Sequence, residues 1–421
     1  MAGPAREVTG PRGVTAAMLL DLFMRRLIRI GTLCLRYPDG SLRRYGGGPG
    51  PVAGMVLRTP GAVRRMTTNP SLAAGELYME GVLEPEGCSL YELLDLLVTN
   101  LWSGGTHPAE WLVNALRTLG RRIEQFNPAG RARRNVAHHY DLDGRLFSLF
   151  LDRDRQYSCA YWRTGQETLE EAQAAKQRHV AAKLKLDRPG LEVLEIGCGW
   201  GGMALTLARD WGARVTGITL SEEQLAAARA RAAAEGLADR VRFELMDYRA
   251  WQRPVDRVLS VAMFEAVGIA HYRRFFQAVR GALKPDGVAL VHAIGRAAGP
   301  GATNPWLAKY IFPGGYSPAL SEVLPAVEWA GLWVTDIEIL RQHYALTLRE
   351  WRSRFAASRD AIQALYDERF CRMFEFYLIG CEIAFRRTDH MIWQMQLTRE
   401  RETLPLTRDW MLAAERAPAG A

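Results

Sequence analysis

The sequence predicts an α/β protein built on a doubly wound sheet of mostly parallel strands, with a smaller α+β domain at the amino terminus. Three observations carry this. From residue 192 onward, short apolar runs alternate with helical segments, the pattern of parallel strands joined by crossover helices. A glycine-rich loop, "GCGWGG", directly follows the first of those strands and opens the first helix. Upstream, a Pro-Asp-Gly turn divides "GTLCLRYPDGSLRRYGG" into two halves with alternating apolar residues, which is the chemistry of a hairpin.

Three regions follow from the composition along the chain. Residues 16–104 hold the hairpin and a helix at "SLYELLDLLVTNLW", and form the α+β domain. Residues 105–140 read as a basic helical linker, and 141–400 as the doubly wound domain. Within the last, "EVLEIGC", "RVTGITL", "VRFELMD", "VDRVLSVAM" and "GVALVHAIG" are strands. "GGMALTLARDW" is a helix, and "SEEQLAAARARAAAEG" is another, opened by a capping box from Ser221 to Gln224 and stopped at Gly236;. Residues 1–15 and the tail from about 414 are rich in small residues and are expected to be disordered.

At 421 residues, 48% apolar and 24% charged, the chain has room for two or three folded domains;. The longest apolar stretch, "VTAAMLLDLFMRRLIRI", is cut by Asp21, Arg25, Arg26 and Arg29, so neither a transmembrane helix nor an export signal is expected. Six cysteines lie scattered without a CxxC pair or a zinc spacing, as expected of reduced thiols in a cytoplasm with no metal site. The net charge of +8 is compatible with nucleic acid, anionic lipid or no special partner;. Its densest cluster is Arg121, Arg122, Arg131, Arg133 and Arg134, which reads equally as a solvated linker and as an anion-attracting patch.

In a doubly wound sheet, ligands sit beyond the carboxyl ends of the strands. Gly197, Gly199 and Gly201 let the backbone approach such a ligand closely, with Cys198 and Trp200 between them. Glu195 stands at the end of the strand, where a dinucleotide site would place its acid only about 20 residues later. A carboxylate there suits a cofactor with an amino group and a sulfonium, the pattern of a class I S-adenosylmethionine (SAM) methyltransferase with a Rossmann-like fold. The second strand ends in Thr219, Leu220 and Ser221, and Gln224 one turn on can reach ribose hydroxyls or simply cap its helix. Asp247, Tyr248 and Arg249 end the third strand, placed to bracket an adenine.

"RQYSCAYW" leaves Cys159 open as nucleophile, ligand, disulfide half or packing residue. "HHYDL", "YSCAYW", "EIGCGWGG", "DYR", "MFEAVG", "HAIG" and "KYIFPGG" occur in that order. By these motifs the chain resembles the cyclopropane-fatty-acyl-phospholipid synthase family, which includes the mycolic acid cyclopropane synthases, over residues from about 20 to 400. The resemblance implies a bound bicarbonate as base, held by Cys159, Glu265, His292, Ile294 and Tyr344. It makes Cys159 a cradle residue, and places Tyr157 and Ser158 on the methionine portion of SAM. Read without the resemblance, His292 is more simply a structural histidine near a strand end. The chain departs from the family at Ala266, where a histidine commonly follows the glutamate, and in "HYDLDGRLF".

The expected function is methylene transfer from SAM to the cis double bond of unsaturated phospholipid acyl chains, giving a cyclopropane ring. A fatty-acid C-methyltransferase is the alternative. Nucleic acid is not expected, because no Asn-Pro-Pro-Tyr type motif occurs. The protein is expected on the cytoplasmic face of an anionic membrane, reached through the linker arginines and through Arg25 and Arg26 beside Leu27 and Ile28. The amino-terminal domain is left between lipid binding and a homodimer contact.

Overall fold

The computed structural model describes residues 15–104, 125 and 144–416. The linker arginines and the "HHYDL" motif lie outside the described residues. Contacts divide the chain into two compact units, Met1–Trp111 and Leu112–Ala421.

The first unit runs α1 (Ala16–Leu27), β1 (Thr32–Arg36), β2 (Leu42–Gly46), β3 (Val52–Leu57), α2 (Pro60–Thr68), α3 (Pro70–Met79), β4 (Leu83–Pro85) and α4 (Leu90–Trp102). Its sheet has the order β2-β1-β3-β4. The hairpin closes as its turn residues dictate: Gly40, at φ +83°, donates its N–H to the Tyr37 carbonyl;. Ser89 and Glu92 form a reciprocal capping box at the start of α4;. Asn100, buried on that helix, accepts from the Arg29 and Ile30 amides and donates to the Ile30 and Leu96 carbonyls. Helical spacing turns Leu20, Met24 and Leu27 inward and leaves Met18, Leu19 and Leu22 exposed;. Leu27 and Ile28 are therefore core residues, and the expectation that they flank a membrane-facing arginine pair is corrected.

The second unit opens with α5 (Gly144–Phe150) and α6 (Leu169–Lys183), and then enters the sheet with β5 (Glu192–Ile196), α7 (Gly202–Trp211), β6 (Arg214–Thr219), α8 (Glu222–Ala234) and β7 (Val241–Leu245). The chain returns through β8 (Val255–Val261), α9 (Tyr272–Ala282) and β9 (Leu283–Arg296). It then runs through α10 (Pro305–Tyr310), α11 (Leu320–Trp329), β10 (Trp333–Leu340), α12 (His343–Ala357), α13 (Arg359–Leu365), α14 (Glu368–Arg387), β11 (His390–Thr398) and α15 (Asp409–Arg416).

The seven strands lie in the order β10-β11-β9-β8-β5-β6-β7. The pairs from β9 across to β7 are parallel, while β11 runs antiparallel to both β9 and β10. This is the doubly wound sheet expected. The order reverses between β5 and β8, which opens a crevice at their carboxyl ends. Two apolar layers, one built on α9 and α11 and the other on α7 and α8, cover the sheet's faces.

Two local expectations change. Ser221 Oγ does accept from Gln224 N at 3.2 Å, but Gln224 Oε1 accepts from the Thr219 hydroxyl at 2.9 Å and does not return to Ser221. The box is thus half formed, because Thr219 also takes the Ser221 amide. At the carboxyl end the chain stays helical through Arg416, held where Glu415 accepts from the buried His179.

Candidate active site

The crevice at the β5/β8 reversal leads into a cavity. Tyr157, Ser158, Glu195, Gly197, Cys198, Gly199, Trp200, Thr219, Leu220, Gln224, Asp247, Tyr248 and Arg249 line it. Every cofactor position expected from the sequence is there except Gly201 and Ser221, whose work is structural. Gly201 sits at φ +82°, and a Cβ on it would lie 2.7 Å from the Phe243 ring and 3.0 Å from Ala228. It lets α7 start close against the sheet; Ser221 caps α8. Gly197 is also confined, with the Met263 side chain 2.9 Å from where a Cβ would stand. Gly199 differs: at φ +53° it has nothing within 4 Å in that direction. The space beside it is open.

Glu195 is buried, and its Oε2 makes no hydrogen bond. Burial pushes its pKa up to about 8, against the pull of the Lys176 charge and the Ala204 amide. Such a group gains most from a cation. Gln224, with its oxygen engaged by Thr219, has N–H groups to offer a hydroxyl-bearing ligand. Asp247 is partly buried, which raises its pKa, but the Arg249 side chain and amide outweigh that and hold it low. Tyr248 packs edge-on against Phe275, with the Arg249 guanidinium 5.5 Å from its ring centre. Tyr157 stacks on Trp351 and shares a 2.8 Å hydroxyl contact with Tyr377.

The five expected bicarbonate residues do not line this cavity; their chain neighbours Ser158 and Ala266 do. Glu265 meets Ile294, which stands two residues along β9 from His292, and Tyr344 lies near Cys159 and Glu265. Val261 pairs with His292 across β8 and β9, and the Ala262 amide donates to the His292 carbonyl at 2.8 Å. Ala262 adopts φ +53°, unusual for a residue with a Cβ;. The turn brings Glu265 back over β9, where its Oε1 accepts from the Ile294 amide at 2.6 Å. Ile294 thus enters the arrangement through the carboxyl group. Glu265 Oε2 is buried without a partner, and burial raises its pKa to about 7.

His292 is likewise enclosed. Its Nδ1 accepts from Gln394 Nε2 at 3.1 Å, so the proton of the neutral ring sits on Nε2, which has no partner;. Burial, then the Lys176 charge, keep the ring neutral. Burial also drives the Cys159 thiol well above its usual range, and the thiol donates to the Ala160 carbonyl at 3.2 Å. Tyr344 is pushed up by burial, with Tyr157, Cys159 and Glu265 close enough to add to the shift.

The sequence reading missed Lys176, Gln156, Ala262 and Gln394. Among the described residues no cluster of three or more His, Cys, Asp or Glu could hold a metal.

A doubly wound sheet with its β11 reversed, a glycine turn at its switch point and a buried carboxylate ending β5 define a class I SAM-dependent methyltransferase. The free Glu195 oxygen and the open space at Gly199 fit SAM. Residues 128–395 match the family model for mycolic acid cyclopropane synthetase, and residues 20–104 match a domain of unknown function. The chain belongs to the mycolic acid cyclopropane synthetase family. It is 38% identical to the cyclopropane-fatty-acyl-phospholipid synthase of Escherichia coli K12, over 82% of this chain and 88% of that one. It is 35% identical to the tuberculostearic acid methyltransferase UfaA1 of Mycobacterium tuberculosis, over 94% of each chain. The solved structure of mycolic acid cyclopropane synthase CmaA1 with SAH and CTAB matches with a TM-score of 0.60 at 31% identity, covering 65% of this chain and 99% of that one.

Gly199→Asp is expected to fold normally, because aspartate tolerates left-handed backbone, while its carboxylate fills cofactor space. Calorimetry should show SAM affinity reduced by about 100-fold or more, a loss of roughly 2.7 kcal/mol, with an unchanged circular dichroism spectrum.

Proposed function

We propose that the enzyme transfers a methylene unit from SAM to the cis double bond of unsaturated acyl chains in membrane phospholipids, closing a cyclopropane ring. The observation that carries this reading is the pair of buried unpartnered groups, Glu265 Oε2 and His292 Nε2, beside the SAM cavity. A neutral imidazole N–H, a protonated thiol, a protonated phenol and a carboxyl group titrating near 7 suit a small oxyanion such as bicarbonate. Cys159, Glu265, His292 and Tyr344 would hold it, with Ile294 fixing the carboxyl group.

When bound, SAM supplies an electrophilic methyl group on a sulfonium. An alkene is a feeble nucleophile, so the protein's share of the work is alignment and exclusion of water. Tyr157 and Ser158 face the cofactor from the same segment that carries Cys159. Attack leaves a carbocation on the acyl chain, and the Tyr157, Trp351 and Tyr344 rings are near enough to one another to form an aromatic wall for it;. Ring closure expels one proton from the transferred carbon, for which a bicarbonate in the cradle is the base. Cys159 stays protonated and acts as a donor, which argues against a nucleophile.

The name of the E. coli relative supports the ring. A second reading, C-methylation to a methyl or methylene branch, is favoured by the relative UfaA1, which aligns over nearly the whole of both chains. Docking to the cytoplasmic face of the membrane would use α1 and the residues just after it, which expose Met18, Leu19 and Leu22 and then Arg26 and Arg29. Arg25 is paired with Asp21 at 2.9 Å. No helix of the described residues is long and apolar enough to cross a membrane.

Lipids from cells expressing the chain are expected to gain one CH2 per modified acyl chain, with loss of the alkene and the upfield ring protons of a cyclopropane. A methyl doublet or an exomethylene signal would favour the second reading, and unaltered lipids would refute both. Glu265→Gln should lower kcat by about 100-fold or more while SAM affinity stays within error, as for a group acting in proton transfer; stripping dissolved carbon dioxide should slow the wild type reversibly. Leu19→Asp with Leu22→Asp should weaken binding to phosphatidylglycerol vesicles about tenfold, read by co-sedimentation, without altering SAM affinity.

A further inference from the structure

Lys176 lies on α6 and is wholly shut off from solvent. A buried ammonium is costly unless its donors are satisfied and acids stand near. Its Nζ donates to Gln156 Oε1 and, at 3.0 Å, to Ser158 Oγ. Both acceptors are neutral, and both line the SAM cavity. The carboxyl groups that favour its charge are Asp152, Glu195 and Asp154. On the far side its charge reaches His292 on β9. One cation therefore acts on the cofactor wall, the cradle thiol and the cradle imidazole together, and no helix or strand in the 152–162 segment could hold these residues in its place.

We propose that Lys176 is a positioning residue for SAM: its ammonium fixes Gln156 and Ser158 at the cavity wall that they share with Glu195, the carboxyl group left to receive the cofactor's ammonium. The inference rests on reading the cavity as the SAM site. The arrangement resolves an apparent conflict of charge. A cationic ligand arriving near a buried lysine is repelled unless a carboxylate offsets the lysine, and of the carboxyl groups that favour the Lys176 charge Glu195 is the one that lines the cavity, with a buried oxygen that makes no hydrogen bond.

The direction of the effect follows from the two groups. Burial depresses Lys176 to about 8 and raises Glu195 to about 8, and the lysine's charge restrains the glutamate's rise. Removing that charge lets Glu195 hold its proton to higher pH, so SAM must displace a proton more often. Above the range where Lys176 itself is charged, the difference fades.

The test is calorimetric SAM binding across pH 6 to 9.5 for wild type and Lys176→Met. The variant is expected to bind about tenfold more weakly at pH 7, the equivalent of one unit of Glu195 pKa, and to recover to within about threefold at the alkaline end. A deficit that is constant with pH would mean a packing defect and would overturn the proposal, as would unchanged affinity at pH 7. Should Lys176→Met fail to fold, Glu195→Gln decides: with no carboxyl group to titrate, its SAM affinity must lose the acid limb, and an unchanged limb overturns the proposal. A folded wild type that binds no SAM refutes the site itself, a distinct outcome.

Discussion

Residues 152–162 pass the mouth of the cavity with neither a strand ladder nor a helix to hold them, and the site depends on how that segment is pinned. Many of its backbone groups go to side chains, beside the Arg155 and Tyr161 amides that donate to the Asp152 and Ala172 carbonyls. Asp152 accepts from the Asp154 and Gln156 amides, and Gln173 donates to the Gln156 and Ser158 carbonyls. Thr347 takes the Ala160 amide, and His343 Nδ1 takes that of Trp162. Buried polar groups left unmade cost about 1 to 3 kcal/mol each, so a segment satisfied this way has one geometry. Tyr157, Ser158 and Cys159 inherit it.

Burial then determines the chemistry on both sides of the segment. Glu195 and Glu265 are carboxyl groups that hold protons near neutrality, while His292 is an imidazole that refuses one. A cationic cofactor is the ligand that a buried carboxyl group gains most from facing. The apolar surroundings that keep water out of the site are the same ones that shift these groups. Excluding water and tuning acidity are one act of packing here.

Much of this was legible in the chain. The strands β5 to β9 show continuous apolar runs punctuated by turn residues, and the glycine loop has local chemistry that does not depend on distant contacts. Other parts were hidden for physical reasons. Lys176 sits in "LEEAQAAKQRHVAAK", a helix whose polar residues run all around it, and nothing local distinguishes a buried lysine there from a solvated one. Tyr344 was named only through the resemblance, since "QHYALTL" carries no local signal. Gln394 acts on His292 from 102 residues away, after β11 has folded back between β9 and β10. Leu27 and Ile28 were misjudged because an arginine pair beside them hid their place on the inner face of α1.

The position of β11 has a consequence in time. Among the described strands it comes last in the chain, yet it is not an edge strand: β10 reaches the sheet only through it. A chain emerging from the ribosome can assemble β5 to β9 and the glycine turn, but β10 has no partner, and His292 lacks the Gln394 amide that settles its tautomer, until residue 394 has left the exit tunnel. The His292 side of the site is therefore completed later in synthesis than the strands of the cofactor side.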